Sequence, residues 1–219
     1  MAAERILFVM PVYGGVDPNA MLAAMRMCSE RPDITFSVLQ GSPIDVVRNK
    51  IVSGFLEAPE YTHLLMMDSD IVPPDGIVQM LLDCDAPMAA APCLMFLDGM
   101  IMSNVVMLKD DGGTAWLTHW NAESVPFEAH AAGTGCVLCR REVFEKLEWP
   151  WFRFTDARDG SRIGEDIYFA DKAAKVGLRY VVHPKATCDH RKNVSLQAIV
   201  NGFKRQAQSL KEEVGNVKR

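Results

Sequence analysis

The segment His63-Leu-Leu-Met-Met-Asp68-Ser-Asp70 carries the reading of this chain. Residues 62–67 read as a strand, and its last four, Leu64-Leu-Met-Met67, apolar without alternation, have the pattern of a parallel strand buried on both faces. It ends abruptly in two acids separated by one residue. Where such a strand emerges, at the carboxyl end of the sheet, open α/β folds bind their ligands. Asp and Ser are also ordinary turn formers, so the D-x-D pattern alone is compatible with a capped turn. Its position after four apolar residues is what points to chemistry. A hard divalent cation held by one or two carboxylates keeps positions open for phosphate oxygens, and it offsets the charge of a departing diphosphate.

Upstream of this segment, residues 6–10 and 34–39 read as two further buried strands, with helical patterns between them. Asp17-Pro18 offers a cap followed by proline at the first helical position, with Met21, Ala24, Met25 and Cys28 as the apolar stripe. Ser42-Pro43-Ile44-Asp45 starts a second helix with Ser as cap, and Ile44, Val47, Ile51 and Phe55 face inward. A third helix follows Pro73-Pro74-Asp75 and carries Ile77, Met80, Leu81 and Cys84. Strands alternating with helices predict a mostly parallel sheet covered on both sides.

Downstream the pattern changes. Residues 88–95 are a strand candidate, and 100–108 and 114–119 flank a hairpin turn at Asp110-Asp-Gly-Gly113. Residues 135–139 read as a short buried strand that runs into a helix over 142–147. A helix over 167–176 closes on Gly177, a last strand covers 179–183, and residues 194–214 form an amphipathic terminal helix. The chain therefore reads as an α/β domain over 1–190 with a helical tail over 191–219.

Composition is that of a globular protein, with 49% hydrophobic and 23% charged residues in 219. No apolar run reaches the roughly 18 residues of a membrane span, and residues 6–10 are too short for a signal segment, so the expectation is a cytoplasmic protein. Six scattered cysteines suit buried free thiols better than a disulfide framework. Cys136-Val-Leu-Cys139 has metal-knuckle spacing, but on a strand residues three apart face opposite ways. Net charge is −5. The tail from Arg191 holds seven Lys/Arg against two Glu, or +5, which leaves −10 on residues 1–190. Such a tail suits either a solvated helix or contact with a polyanionic surface.

Four other groups of residues carry chemistry. Gly164-Glu165-Asp166 opens a helix, where the dipole favours an ionised carboxylate, the form required of a general base. His190, after the last strand, offers a further metal ligand. Gly133-Thr134-Gly135 would let backbone approach a sugar closely. Asp45, Arg48 and Asn49 share a non-apolar face of the second helix, where Arg48 would meet a phosphate and Asp45 would orient it.

In this order the segments resemble the nucleotide-diphospho-sugar transferases of GT-A fold, in particular the large inverting family-2-like group. The likeness spans residues 5–190 and rests on Met10-Pro11-Val12-Tyr13, Asp45-Val-Val-Arg48-Asn49, the segment ending Asp68-Ser-Asp70, Gly133-Thr-Gly135, Gly164-Glu-Asp166 and His190. It implies a Rossmann-like, mixed and mostly parallel sheet flanked by helices, with a small hairpin and a C-terminal helix. It also implies that Pro11, Val12 and Tyr13 line a nucleotide base pocket with Gln40 and Asp45 nearby, and that Arg48 approaches the base or diphosphate. Asp68 and Ser69 would meet the ribose or donor sugar, and Gly133, Thr134 and Gly135 would border donor and acceptor. Asp70 and His190, with Asp68, would hold Mn²⁺ or Mg²⁺, and Asp166 would be the catalytic base with Glu165 beside it.

The implied donor is a UDP- or GDP-sugar, and the acceptor stays open among glycan, lipid, protein and modified DNA base. The family's Gln-x-x-Arg-Trp acceptor motif is absent around Gln197–Arg205, which favours single transfer over processive synthesis. A sugar-1-phosphate nucleotidyltransferase would need basic residues in the loop after the first strand, and Pro11-Val-Tyr-Gly-Gly-Val-Asp17 has none. A non-catalytic sugar-nucleotide or glycan-binding module would need no base.

Overall fold

The computed structural model describes residues 4–97, 100–118, 120, 125–156 and 160–217. Seven strands make the main sheet: β1 (Ile6–Val12), β2 (Ile34–Gln40), β3 (His63–Met67), β4 (Met88–Ala90), β5 (Phe127–Ala129), β6 (Cys136–Arg140) and β7 (Tyr180–Val182), in the spatial order β5-β7-β4-β6-β3-β1-β2. β2, β1 and β3 run parallel, as do β4 and β7, whereas β6 is antiparallel to both β3 and β4. This is the expected mixed α/β architecture. Helices α1 (Pro18–Glu30), α2 (Ile44–Glu57), α3 (Ile77–Asp83), α4 (Arg141–Lys146) and α5 (Glu165–Lys175) accompany the sheet, and α6 (Leu196–Val217) ends the described chain.

The period of two along each strand divides the core into two layers. Leu64 and Met66 of β3 join Val9, Val137 and Cys139 under Val47, Ile51 and Phe55 of α2, Phe144 of α4 and Phe169 of α5. Leu65 and Met67 face the other way, with Ile6, Phe8 and Met10, against Ala24 and Met27 of α1 and Ile77, Val78 and Leu81 of α3. Burial on both faces is why β3 reads as a continuous apolar run.

Several local expectations are met and others corrected. Asp17 caps α1, its Oδ1 accepting from the amides of Asn19 at 2.8 Å and Ala20 at 3.3 Å. The inward stripe of α1 is Ala20, Ala24 and Met27 rather than one including Met25, which is 60% exposed. Small alanines let this helix lie close to the sheet. The cap position of α2 is Pro43, not Ser42, and no side chain caps it. The inward face of α2 also takes in Arg48, with consequences for the site. The strand expected over 88–95 is divided: β4 stops at Ala90, and Leu94–Leu97 leaves to pair with Met100–Ser103 in a separate hairpin. Pro92, which has no amide to donate, lies at the division.

The hairpin expected around Asp110–Gly113 forms between Val105–Leu108 and Thr114–Trp116, and His119 of that expectation lies outside the described residues. α5 begins two residues earlier than expected, at Glu165, and ends before Gly177, whose φ is +74°. Cys136 and Cys139 are buried free thiols that face opposite core layers, as residues three apart on a strand do. No helix among the described residues is long and apolar enough to cross a membrane.

Candidate active site

Strand pairing places the first part of the site. β6 runs antiparallel to β3 with Cys136 opposite Met67, so the residue before β6 lies beside the residue after β3. The Asp68 amide accordingly donates to the Gly135 carbonyl at 2.8 Å. A Cβ on Gly135 would stand 3.7 Å from Asp68 Oδ2 and 3.5 Å from Ile71. At the other end of the same tripeptide, a Cβ on Gly133 would meet Asp166 Oδ2 at 3.4 Å and Asn104 at 3.2 Å. The Gly133-Thr134-Gly135 turn therefore spans from Asp68 to Asp166, two carboxylates nearly a hundred residues apart, and small residues let it pass between them. A Cβ on Gly164 would stand 2.5 Å from Asp166 Oδ1, so glycine there also preserves the carboxylate's place.

Arg48 joins the two acidic groups from below. Its Nη2 donates to Asp68 Oδ1 at 2.8 Å, and its Nη1 forms a short ion pair with Glu165. Sequence reading had Arg48 approach a base or phosphate, oriented by Asp45. Instead the guanidinium is only 4% exposed and sits between carboxylates, while Asp45 accepts from the Val46 amide. Three acids crowded on the inner side of the sheet need a buried cation there, and a guanidinium can serve two at once.

Burial raises the Asp166 carboxyl above its usual range, against the opposing pull of Arg48 and of the Ile167 amide, which donates to Oδ1 at 2.8 Å. Glu165 is raised for the same first reason, with Arg48 again opposing. The helix N-terminus alone was expected to keep these acids readily ionised. Desolvation outweighs it, because both side chains are shielded from water. A carboxylate nudged upward is a better match for proton transfer near neutral pH.

The second part of the site is built across the sheet edge. Ile71–Val72 pairs with Asp189–His190, His190 opposite Ile71, and the Arg191 amide donates to the Asp70 carbonyl at 2.8 Å. This brings His190 Nε2 to 3.5 Å from Asp70 Oδ2. His190 Nδ1 lies 2.9 Å from the Leu94 carbonyl. As that carbonyl can only accept, Nδ1 carries the proton, and in the neutral ring the Nε2 lone pair then faces Asp70. Lys192 Nζ lies 2.5 Å from the same Asp70 oxygen. Burial pushes the Asp70 carboxyl up, but a hydrogen bond from Lys192 and one that Nε2 can give only when the His190 ring is protonated outweigh it and hold the group at about 2.

A carboxylate and an imidazole aimed at one point, with an ammonium already resting there, suit a divalent cation whose remaining positions face outward. The residues present therefore fit Mn²⁺ or Mg²⁺ through Asp70 and His190. Asp68 instead points one oxygen at Arg48, and no cluster of three or more His, Cys, Asp or Glu ligands occurs among the described residues.

Beside these groups lies a pocket of about 450 Å³ lined by Pro11, Tyr13, Ser42, Pro43, Ile44, Asp68, Ser69, Asp70, Phe154 and Lys192. Val12 is buried at the end of β1, and Ser69 Oγ donates to the Gly15 carbonyl at 3.0 Å. Gln40, at the end of β2, is exposed and does not line the pocket; nor do Asp45 and Arg48. Sequence reading missed Phe154, Lys192 and Asn104. Lys192, the second residue after His190, belongs to this site as well as to the basic tail. Asn104 carried no signal: it is buried, its Oδ1 accepts from the Cys93 amide at 2.9 Å, and its backbone carbonyl accepts from the Gly133 amide at 2.8 Å.

No protein-family model and no curated protein sequence matches this chain. Solved structures do. A197 from STIV aligns over 86% of both chains with 22% identity and a TM-score of 0.60. GalNAc-T7, solved with UDP, GalNAc and Mn²⁺, aligns over 87% of this chain and 44% of its own length, with 10% identity and a TM-score of 0.55. A glycosyltransferase involved in glycosylation of the major capsid of PBCV-1 aligns over 91% and 99% with 12% identity, but its TM-score of 0.44 is too low to weigh. At these identities the likeness establishes the fold alone: a GT-A-like, Rossmann-like mixed sheet flanked by helices.

Proposed function

We propose that this chain is a glycosyltransferase that moves a sugar from a nucleoside diphosphate donor, a UDP- or GDP-sugar, to an acceptor hydroxyl, with inversion. The observation that carries the reading is the Gly133–Gly135 turn, which brings Asp166 and Asp68 to its two ends at the rim where Asp70 meets His190. A nucleotide lying in the 450 Å³ pocket would have its base and ribose against Pro11, Tyr13 and Ile44 and its diphosphate toward Asp70 and Lys192. A Mn²⁺ or Mg²⁺ held by Asp70 and His190, when bound, would supply the positive charge that lets the nucleoside diphosphate leave.

The chain's own residues account for the rest. Asp68 would hold a hydroxyl of the donor, the Gly133–Gly135 backbone would border its sugar, and Asp166 would take the acceptor's proton as the new glycosidic bond forms at the anomeric carbon. One base and no enzyme nucleophile imply a single displacement, hence inversion. Arg48, held by Glu165 and Asp68, partly offsets the burial of the Asp166 charge.

The test is a screen of nucleotide sugars for slow hydrolysis with Mn²⁺, which needs no acceptor, followed by Asp166→Asn. The variant should retain donor and metal binding while transfer falls by about 10²-fold or more. Binding of donor with equal activity in wild type and variant would instead indicate a different base, and binding without any hydrolysis or transfer would indicate a non-catalytic sugar-nucleotide module.

A further inference from the structure

β2 is the outermost strand of the main sheet, and among the described residues it pairs only with β1. That pairing spends its odd-numbered residues. The Ile6 amide donates to the Asp33 carbonyl at 2.9 Å and the Gly41 amide to the Val12 carbonyl at 3.0 Å. Because a strand alternates, the amides and carbonyls of Phe36, Val38 and Gln40 face away from the sheet, and no other strand or loop among the described residues takes them. The Ile34 carbonyl faces the same way, while its amide donates to the Arg31 carbonyl at 3.1 Å. Such a row is a template for another extended strand.

Edges of this kind are blunted in many proteins by lysine, proline, a bulge or a covering loop. Ile34-Thr-Phe-Ser-Val-Leu-Gln40 has no charged residue, no proline and no glycine, and its register with β1 runs unbroken over all seven residues. Val38 is 43% exposed, and the half-buried Phe36 ring lies 4.7 Å from that of Phe8 in the core layer beneath α1. α1 adds to the patch. Arg26 pairs with Asp75 at 2.6 Å, which fixes the α1 flank turned toward α3. At about 100° per residue, Met21, Met25 and Cys28 lie on the opposite flank, above the β2 edge, and Met25 is 60% exposed.

The occupant that fits is a second copy of the same edge. Antiparallel pairing about a two-fold axis at Ser37 sets the free groups of Phe36 against those of Val38 in the other copy, and Gln40 against Ile34. Phe36 opposite Val38 is a favourable aromatic–β-branched pair; moving the axis to Val38 would set Phe36 against Gln40 instead. No like charges meet, since the edge has none. The axis stands perpendicular to the sheet, so both α1 helices lie on one face and their Met25 flanks turn toward each other. A lone foreign peptide would take the backbone bonds and leave these methionines bare.

We propose that this chain forms a homodimer through β2, in which the two seven-stranded sheets join antiparallel into one continuous sheet. The carboxyl ends of the two β3 strands then face opposite ways, and the pairing does not rest on the proposed activity.

The test uses the full chain. One strand and one helix flank per copy make a small interface, so the dimer should be reversible. Light scattering on a sizing column should give twice the 24.3 kDa chain mass at about 100 μM and approach the single mass at about 1 μM. Val38→Lys puts a charge on the edge and should give a monomer at every concentration, with the urea midpoint of the dilute wild type. Ser37→Cys sets two thiols opposite each other in a pair whose Cα atoms lie about 4.5 Å apart. Oxidised glutathione, accepting the two electrons and two protons of the new disulfide, should convert it to a covalent dimer. Thr35→Cys, which would face Leu39 and keeps the same native thiols, should not cross-link. A wild-type chain that stays monomeric throughout overturns the proposal. So does a dimer that survives Val38→Lys, one that Ser37→Cys fails to cross-link, or one that Thr35→Cys cross-links equally well.

Discussion

Replacing Arg48 by methionine keeps much of the side chain's volume and removes the one cation that Asp68 and Glu165 share. Arg48 is 4% exposed, its Nη2 is 2.8 Å from Asp68, and Asp166 also feels its charge. Breaking a buried ion pair by deleting one partner destabilises by about 3–5 kcal/mol. A second route bounds the figure: a stranded carboxylate escapes by taking up a proton. For a glutamate of ordinary pKa about 4.3, binding a proton at pH 7 costs about 3.7 kcal/mol, at 1.36 kcal/mol per unit. The two estimates agree, so urea unfolding without added metal should show a loss near 4 kcal/mol at pH 7.

The pH dependence has a defined sign. Glu165 and Asp166 already sit above their usual values in the folded protein because of burial. Stability from such raised acids is fully present below their unfolded pKa, about 4, and is lost as pH rises through the folded values. Without Arg48 the folded values rise further, so the gap between variant and wild type should narrow as pH falls from 7 toward 4.5. A loss below about 1 kcal/mol at pH 7, or a gap independent of pH, would refute the account of Arg48 as the shared counter-charge.

Gly164→Ala should displace the Asp166 carboxylate, because the new Cβ would stand 2.5 Å from Oδ1 while the φ of −64° tolerates alanine. Donor hydrolysis should fall with a stability loss of about 1–3 kcal/mol, and unchanged hydrolysis would contradict the placement of Asp166. Lys192→Met should raise Mn²⁺ affinity measured by calorimetry without donor by a few-fold, since the half-exposed ammonium competes for Asp70. Weaker Mn²⁺ binding would mean that Asp70 is not a ligand. Asp17→Ala should lower stability by about 1 kcal/mol through loss of the α1 cap, read as a lower urea midpoint with unchanged slope.

Much of this architecture was legible in the sequence for local reasons. The run before Asp68 is apolar on every residue because β3 is buried on both faces, and Asp17-Pro18 and Gly177 mark helix ends through backbone chemistry that acts within a few residues. What residue order did not reveal is where side chains meet after the sheet closes. Sharing a helix face with Asp45 and Asn49, Arg48 reads as a phosphate ligand, yet it faces Asp68 and Glu165, which are 20 and 117 residues away. The break at Pro92 depended on which strand could accept a partner. The fit of the Gly133–Gly135 turn between Asp68 and Asp166 depended on the antiparallel register of β6 with β3.

By itself, then, the sequence determined strand and helix identity, the two-sided burial of the central strand and the kinds of acid at its mouth, because periodicity and capping are short-range. Only the tertiary structure decided that Arg48 is a buried counter-ion, that Lys192 rests on Asp70, and that burial outweighs the helix dipole at Asp166. Desolvation and ion pairing depend on everything within a few ångströms, and in this fold those neighbours come from opposite ends of the chain.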